Sequence, residues 1–334
     1  MKRTRVSLSD VADWNRLARA TWRAARGKRS RPEVGRFLQD AQQQWSQLSE
    51  DVRGESYVPG ALHRFTIWDP KRRTVSAPPF RDRVLHHSLM ECLEPRLEQG
   101  LNDDAFACRR GRGTFAAIKQ AQRYVQLYPW CLRLDVREFF DSIVHETLLA
   151  ALDRRFKGPG VQRLVETIIR SHGAAHGRGL PIGTLTSQHF ANTYLAPLER
   201  WLRNDAGSRG VVRYMDDTVA WFTDKCAARD ARDSVGTMLE GTLGLRLRLA
   251  SVQRSEEGVP LCGFVVCRGR LRLSPRRKRR YRDARRRLEV AFAHGELDAL
   301  DLQRGYEAVL ATTAHADARG WRRAEVRRNP PPRV

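Results

Sequence analysis

The sequence lacks any long apolar run: no stretch of about 18 or more consecutive apolar residues occurs among its 334 residues. Because a membrane-spanning helix needs such a stretch, none is expected. The start of the chain, residues 1–5, is polar and is not followed by an apolar signal segment. We therefore expect a cytoplasmic protein that does not enter a membrane.

Cysteine is also scarce, with six residues that form no Cys-x-x-Cys pair and no zinc-ligand spacing. This excludes a zinc finger by pattern and predicts reduced cysteines with structural roles. Internal repeats and low-complexity linkers are absent too. One compact unit with an added helical end is the simplest organisation.

Acidic residues are outnumbered: 38 Asp and Glu stand against 61 Lys and Arg, which gives a formal net charge of +23. Such a field exceeds what solubility needs and attracts polyanions. A membrane surface is one polyanion, but nucleic acid is the commoner partner of a chain without an apolar span. The charge therefore favours nucleic-acid binding.

Hydrophobic periodicity predicts several helices and a few short strands. The helices are predicted at 9–26 with Ser9 as N-cap, and at 32–49, 83–97, 114–128, 145–156, 160–172, 186–202, 225–242 and 298–314, with a very basic helix after Ser274. Strands are predicted at 64–68, 74–76, 245–249 and 259–266, before Asp135, and on both sides of Asp216. The order strand, helix, helix, hairpin, helix, strand matches a ferredoxin-like arrangement.

The tetrapeptide Tyr214-Met215-Asp216-Asp217 places two adjacent carboxylates between two apolar runs. The pattern predicts strand, tight turn, strand, with both aspartates at the turn. Since Asp in a turn often serves only to hydrogen-bond the backbone, a structural role stays open for this pair alone. A third carboxylate, Asp135, follows another short apolar strand. Three acids at strand ends of a basic protein suit divalent metal ions held beside a nucleic acid.

Together with the segment 134–141, Tyr214-Met215-Asp216-Asp217 resembles the reverse transcriptases, and further matching blocks extend from about Tyr57 to Phe264. The resemblance implies an α+β right-hand polymerase with fingers, a ferredoxin-like palm and a short helical thumb. It implies an N-terminal helical extension over 1–55, fingers and palm over 56–265, and a basic helical thumb with a C-terminal tail over 266–334. The implied activity is RNA-directed DNA synthesis from dNTPs.

The same resemblance implies roles for individual residues. Asp135, Asp216 and Asp217 would be catalytic and, with Val136, would bind two Mg²⁺ ions, with Mn²⁺ as a substitute. The nucleotide-binding residues would be Lys71, Arg73, Phe140 as a steric gate against ribose, Ile182, Gly183 and Gln188. Template RNA and cDNA or primer would contact Tyr214, Met215, Arg276, Arg277, Lys278 and Arg280.

Simpler roles stay open for some of these side chains. Lys71 and Arg73 are also explained as solvated charges at a turn, and Phe140 as core packing beside Phe139. The adjacent pair His86 and His87 cannot both face one ion from a helix, so these histidines are expected in the core or on the surface. The arginine-rich run 268–287 would repel itself unless a phosphate backbone lay against it.

The block from Gly179 to Gln188 departs from most reverse transcriptases, which have Gln before the second Gly and end in Ser-Pro. With Ile182 and Ser187-Gln188 at these places, the chain resembles the reverse transcriptases of diversity-generating retroelements. That implies copying with errors at template adenines, mutagenic retrohoming, a basic accessory variability protein, and a bacterial or phage-encoded system. We hypothesise that Ile182, which cannot hydrogen-bond a substrate, weakens base selection.

Three alternatives remain at this point. A group II intron-like reverse transcriptase predicts a Gln-Gly motif that the chain lacks. Retron and phage-defence reverse transcriptases are further relatives. Outside the enzymes, an inactive basic RNA-binding scaffold would explain the charge, although the three aspartates and Phe140 are all present.

Overall fold

Helices form most of the protein, whose computed structural model describes residues 3–68, 72–172 and 176–332. The helices are α1 (Leu8–Val11), α2 (Trp14–Ala25), α3 (Pro32–Gln39), α4 (Ala41–Arg53), α5 (Phe80–Glu98), α6 (Thr114–Leu127), α7 (Phe139–Ser142), α8 (His145–Asp153), α9 (Pro159–Arg170), α10 (Leu185–Asn204), α11 (Lys225–Leu243), α12 (Pro275–Ala293), α13 (Ala299–Ala311) and α14 (Arg319–Arg328). Within the described residues, none is long and apolar enough to cross a membrane.

The strands pair into four small sheets. They are β1 (Thr4–Arg5), β2 (His63–Trp68), β3 (Arg72–Ala77), β4 (Trp130–Val136), β5 (Phe156–Lys157), β6 (Gly210–Tyr214), β7 (Asp217–Phe222), β8 (Leu247–Arg254), β9 (Val259–Leu261), β10 (Phe264–Cys267) and β11 (Arg270–Leu273). The central sheet is antiparallel with the order β6-β7-β4-β8; the others are β2-β3, β11-β10-β9 and a parallel β1-β5 pair.

The central sheet lies between two apolar cores. Leu132 and Leu134 of β4 face the larger core, which also takes residues from α2, α5 and α10. Cys131 of β4 and Trp221 of β7 face the smaller core, which includes α6 and the β9–β11 sheet. Since successive side chains of a strand point to opposite faces, burial on both faces explains the nearly continuous apolar runs of these strands.

The N-terminal helices differ from the prediction. The single helix predicted over 9–26 is two helices, because the side chain of Asp13 accepts the Arg16 N–H at 2.9 Å and caps a new helix there. The N-cap of the first helix is Ser7, not Ser9, and it forms a capping box with Asp10. The helix predicted over 32–49 is likewise interrupted at Asp40, which separates α3 from α4.

The strand predicted over 259–266 is a hairpin. Its turn consists of Cys262 and Gly263, which have φ of 50° and 79°. These positive values at both positions suit a two-residue hairpin. The sequence reasoning also missed α14, which has an exposed basic surface and only one buried residue, Glu325.

The C-terminal helices are attached to the hairpin sheet. The carboxylate of Asp317 accepts the Leu271 N–H at 2.7 Å, and the Asp317 N–H donates back to the Leu271 carbonyl at 2.8 Å. Tyr281 packs edge-on against Trp321, with 5.3 Å between ring centroids. The predicted boundary between 265 and 266 falls inside β10, and the three-part division stays a prediction.

All six cysteines lie among the described residues and are free thiols. Burial raises the pKa of Cys131 to about 12, so this thiol stays protonated. The predicted reduced cysteines agree with this arrangement.

Candidate functional site

The two adjacent aspartates lie in a tight hairpin between β6 and β7, where Tyr214 pairs with Asp217. Asp216 is in the two-residue turn, whereas Asp217 is already the first residue of β7. The other turn residue, Met215, has φ of 56°, a left-handed value that is unfavourable for a residue with a side chain. Such conformations persist where the surroundings over-determine them.

Asp135 lies beside this hairpin in the central sheet. The last pair between β4 and β7 joins Leu134 to Thr218, so Asp135 and Asp217 follow one residue further on neighbouring strands. Strand alternation places both on the face of the smaller core. The sheet thus places Asp135 and Asp217 at the ends of neighbouring strands.

The carboxylate of Asp135 forms an ion pair with Arg248 of β8. A bulge between Asp135 and Val136 shifts the register of β4 against β8 at this point. The Asp135 side chain is 19% exposed and that of Arg248 is 50% exposed, so water screens the pair. Val136 is buried in the larger core.

Burial controls the ionisation of the hairpin acids. It raises the pKa of Asp217 to about 6, although the Cys262 N–H, 3.4 Å from its Oδ2, and the positive charge of Arg133 act in the opposite direction. Burial also raises the pKa of Asp216, against the smaller effects of Arg73 and Arg213. Among the described residues, no cation forms an ion pair with either carboxylate.

The chemistry of these two carboxylates fits hard divalent ions, because half-buried oxygen donors without an ion-pair partner favour a bound cation. In the described part of the chain, however, no three Asp, Glu, His or Cys side chains converge into a metal-binding cluster. Asp135 instead faces Arg248. Binding one pair of ions by all three aspartates therefore requires Asp135 to exchange Arg248 for a metal ion.

The β2–β3 hairpin extends over this sheet edge as an exposed ribbon. Arg73 pairs with Ile67 across the ribbon, and its guanidinium acts electrostatically on Asp216. The two predicted strands are confirmed within one or two residues. Lys71 lies outside the described residues.

Gly183 provides the close approach of the Gly179–Gln188 block to β3. The Ile182 carbonyl accepts the Ser76 N–H at 2.8 Å. A Cβ on Gly183 would lie 2.7 Å from Val75 Cγ1, and the residue has φ of 112°. Both conditions exclude other side chains at this position.

Phe140 contacts the loop before α10, and Gln188 lies on the first turn of α10. Phe140 is half-buried and packs edge-on against the buried Phe139, with 5.5 Å between ring centroids. Its carbonyl accepts the Leu180 N–H at 2.9 Å, which ties α7 to the loop. Gln188 is half-buried and accepts a hydrogen bond from the Cys108 thiol at 3.3 Å.

The residues predicted to contact nucleic acid occupy two places. Tyr214 and Met215 lie half-buried in the hairpin, and Tyr214 packs on the smaller core. Arg276, Arg277, Lys278 and Arg280 are on the first turns of α12. The Arg277 guanidinium stacks 4.0 Å from the Phe264 ring and donates to the Thr312 carbonyl at 3.2 Å. The Lys278 ammonium lies 5.5 Å from the Trp321 ring.

Sequence reasoning missed Arg213, which precedes the hairpin acids and is fully buried against Glu199 of α10. A signal for it existed. Strand alternation puts Arg213 on the same face as Val211, so a charged side chain had to lie in the core and needed a partner there.

Comparisons with known proteins identify the family and relatives of this chain. Residues 69–265 match the family model described as Reverse transcriptase (RNA-dependent DNA polymerase). Protein YkfC of Escherichia coli (strain K12) is 24% identical, covering 67% of this chain and 71% of its own. Group II intron-encoded protein LtrA of Lactococcus lactis subsp. cremoris is 23% identical, covering 46% of this chain and 27% of its own.

This chain spans only a fraction of the length of several of its relatives. The Putative COX1/OXI3 intron 2 protein of Saccharomyces cerevisiae is 25% identical in a region that covers 48% of this chain. That region is 20% of the length of the yeast protein. Among solved structures, telomerase from Candida albicans in complex with a fragment of telomeric RNA has a TM-score of 0.50 at 9% identity, covering 81% of this chain and 56% of its own. This likeness concerns the fold and confirms the predicted mixed helix-and-strand, right-hand architecture.

Proposed function

The chain belongs to the reverse transcriptase family, and from this premise we propose that it is an RNA-directed DNA polymerase that copies a template RNA into cDNA. The observation that carries the proposal is the meeting of Asp135 with the Asp216–Asp217 hairpin on adjacent strands, below a ribbon that carries Arg73. The other proposed residues surround this point.

We propose that Asp135, Asp216, Asp217 and the Val136 carbonyl hold two Mg²⁺ ions, for which Mn²⁺ substitutes. When bound, such ions activate an attacking hydroxyl and neutralise a leaving phosphate. The protein's own part is to keep the hairpin carboxylates fixed and shielded from water. Burial raises the pKa of Asp216 and Asp217, and a bound cation would favour their ionised form.

The incoming dNTP is proposed to lie between the β2–β3 ribbon and the sheet. Arg73, with Lys71, would bind its phosphates, and Phe140 would exclude a ribose 2′-hydroxyl. Gly183 lets the loop that carries Ile182 approach β3, and Gly183, Ile182 and Gln188 are proposed to contact the nucleotide as well. The template RNA and the cDNA or primer would run from Tyr214 and Met215 to the basic start of α12.

The test is extension of a DNA primer on an RNA template with dNTPs and Mg²⁺. We expect the wild type to extend the primer and the Asp216→Ala/Asp217→Ala variant to lose at least about 100-fold in rate. Retained nucleic-acid binding by the variant would show that the loss is chemical. Equal extension by both proteins would contradict the polymerase proposal and favour a basic RNA-binding scaffold.

At a finer level, we propose error-prone copying at template adenines, for mutagenic retrohoming in a diversity-generating retroelement of a bacterium or phage. Ile182 in place of Gln, and the Ser187-Gln188 ending, support this class. A basic accessory variability protein is the proposed partner, and the cytoplasm the proposed location. We expect Ile182→Gln to lower errors opposite adenine, measured by sequencing the cDNA; an unchanged error spectrum would remove the role of Ile182.

A second candidate is a group II intron-like reverse transcriptase, which the intron-encoded relatives favour. The flanking DNA distinguishes the two. A near-repeat pair that differs at adenines supports the mutagenic system, whereas a surrounding intron RNA that the protein binds specifically supports the intron type.

A further inference from the structure

An arginine with no exposed surface directly precedes the hairpin acids. The side chains of Arg213 and Glu199 are both 0% exposed, and Arg213 Nε contacts Glu199 Oε1. Burying an ion pair removes two charges from water, so such a pair contributes little to stability compared with apolar residues of the same volume. Stability alone therefore does not explain why this pair is buried here.

The remaining donors of this guanidinium reach the turn and the helix α10. Arg213 Nη1 donates to the Met215 carbonyl at 3.1 Å and to Asn192 Oδ1 at 2.9 Å, and Nη2 donates to the Asn192 carbonyl at 3.2 Å. One side chain thereby links the turn to α10 at Asn192 and, two turns later, at Glu199.

The partners of Arg213 are themselves fixed. The Arg213 N–H donates to the Asp104 carbonyl at 2.8 Å, and its carbonyl accepts the Phe106 N–H at 2.9 Å. Asn192 Nδ2 donates to the Ala107 carbonyl at 2.6 Å. The loop before α6 therefore fixes the backbone of Arg213 and the side chain of Asn192, while the guanidinium itself bonds α10 and the turn.

We propose that Arg213 is the positioning residue of the Asp216–Asp217 turn: its bond to the Met215 carbonyl fixes where the two carboxylates present themselves to divalent ions. The inference deepens the proposed function and rests on it. Neutralising Glu199 needs only a cation, whereas holding Met215 in its left-handed conformation needs the planar, several-donor geometry of a guanidinium.

The chain offers a matched pair of substitutions. Arg213→Lys keeps a positive charge opposite Glu199 but loses the planar fork that also reaches Met215. Arg203→Lys makes the same exchange in a neighbouring pair, where Arg203 of α10 donates from Nε to Asp104 Oδ2 at 2.8 Å. Among the described residues, Arg203 has no hydrogen bond to the turn. Both proteins are compared for thermal unfolding, Mn²⁺ affinity by electron paramagnetic resonance, and kcat and KM for dNTP in primer extension.

We expect Arg213→Lys to weaken Mn²⁺ binding about tenfold and to lower kcat by about 10- to 100-fold, with KM for dNTP within about threefold of wild type. Arg203→Lys should leave Mn²⁺ affinity and kcat close to wild type, with a smaller drop in melting temperature because Arg203 is partly exposed. Equal Mn²⁺ affinities and equal kcat values in the two variants would overturn the proposal.

A second variant covers the case in which Arg213→Lys does not fold. Arg213→Met/Glu199→Met replaces the buried pair with apolar side chains and leaves no unpaired charge. It should fold and show the same loss of Mn²⁺ affinity; wild-type affinity would overturn the inference. If wild type shows no polymerase activity while Arg213→Lys still weakens Mn²⁺ binding, the proposed function fails and the positioning role stands.

Discussion

At the scale of single residues, Phe139 and Phe140 are neighbours of the same chemistry in different surroundings. Phe139 is 3% exposed and belongs to the larger core, whereas Phe140 is half-buried at its edge. The sequence offered both core packing and a steric gate for Phe140. Its position at the core edge leaves room for the second role beside the first.

We therefore predict that Phe140→Ala relaxes sugar selection, raising the relative rate with ribonucleotides by about 10- to 100-fold. The measurement is kcat/KM for a dNTP and the matching rNTP. Phe139→Ala is the control: it should cost about 3–5 kcal/mol in free energy of unfolding without a comparable change in sugar preference. An unchanged preference in Phe140→Ala would assign the ring to packing alone.

At the scale of elements, the β2–β3 ribbon depends on its contact with the loop before α10. That contact consists of the Ser76–Ile182 hydrogen bond and of the close approach of Gly183 to Val75. The ribbon makes few other apolar contacts, and all six residues of β2 are exposed. Its orientation over the sheet therefore depends on a short segment.

Gly183→Ala should displace the ribbon and raise KM for dNTP at least fivefold, equivalent to about 1 kcal/mol. Gly179→Ala is a matched control, because Gly179 has a similar φ of 98° but the nearest atom to its added Cβ, the Asp141 carbonyl oxygen, is 3.6 Å away. It introduces backbone strain without the clash. Equal KM values in the two variants would show that the Gly183 contact does not set the nucleotide site.

Elements with strong local patterns were predictable. The β2 and β3 strands, α6 and the Ser274-capped α12 agree with the sequence to within a few residues. Hydrophobic periodicity could not predict the break at Asp13, because the break depends on one hydrogen bond. The Asp13 side chain accepts the Arg16 N–H and so caps a new helix. The Asp135–Arg248 and Arg213–Glu199 pairs depend on neighbours that only the tertiary structure supplies. Sequence reasoning therefore named the candidate aspartates but missed the arginines near them.

At the scale of the whole molecule, the net charge of +23 predicts that binding of nucleic acid weakens steeply with salt. The question is whether the charge acts as a diffuse field or through α12. Arg163 and Arg232, which pair with Glu55 and Asp233 on exposed surfaces, carry the same charges elsewhere. They allow the net charge to be changed equally at two places.

We predict that Arg276→Gln/Arg280→Gln lowers the slope of log affinity against log salt by about two, one for each lost phosphate contact. Arg163→Gln/Arg232→Gln should change the slope by less than half of that, although the net charge is the same. Fluorescence anisotropy on an RNA–DNA duplex across a salt series provides the slopes. Equal losses in both variants would locate binding in the overall field.

The left-handed Met215 has a consequence for how this protein tolerates change. A non-glycine residue in that conformation costs about 1–3 kcal/mol, and Met215→Gly would recover part of it. Selection for heat resistance would thus favour changes in a turn whose rigidity the proposed chemistry needs. Thermal stability and the position of the Asp216 and Asp217 carboxylates therefore make opposite demands on the backbone of Met215. Variants selected for thermal stability at this residue are expected to hold the two carboxylates less precisely.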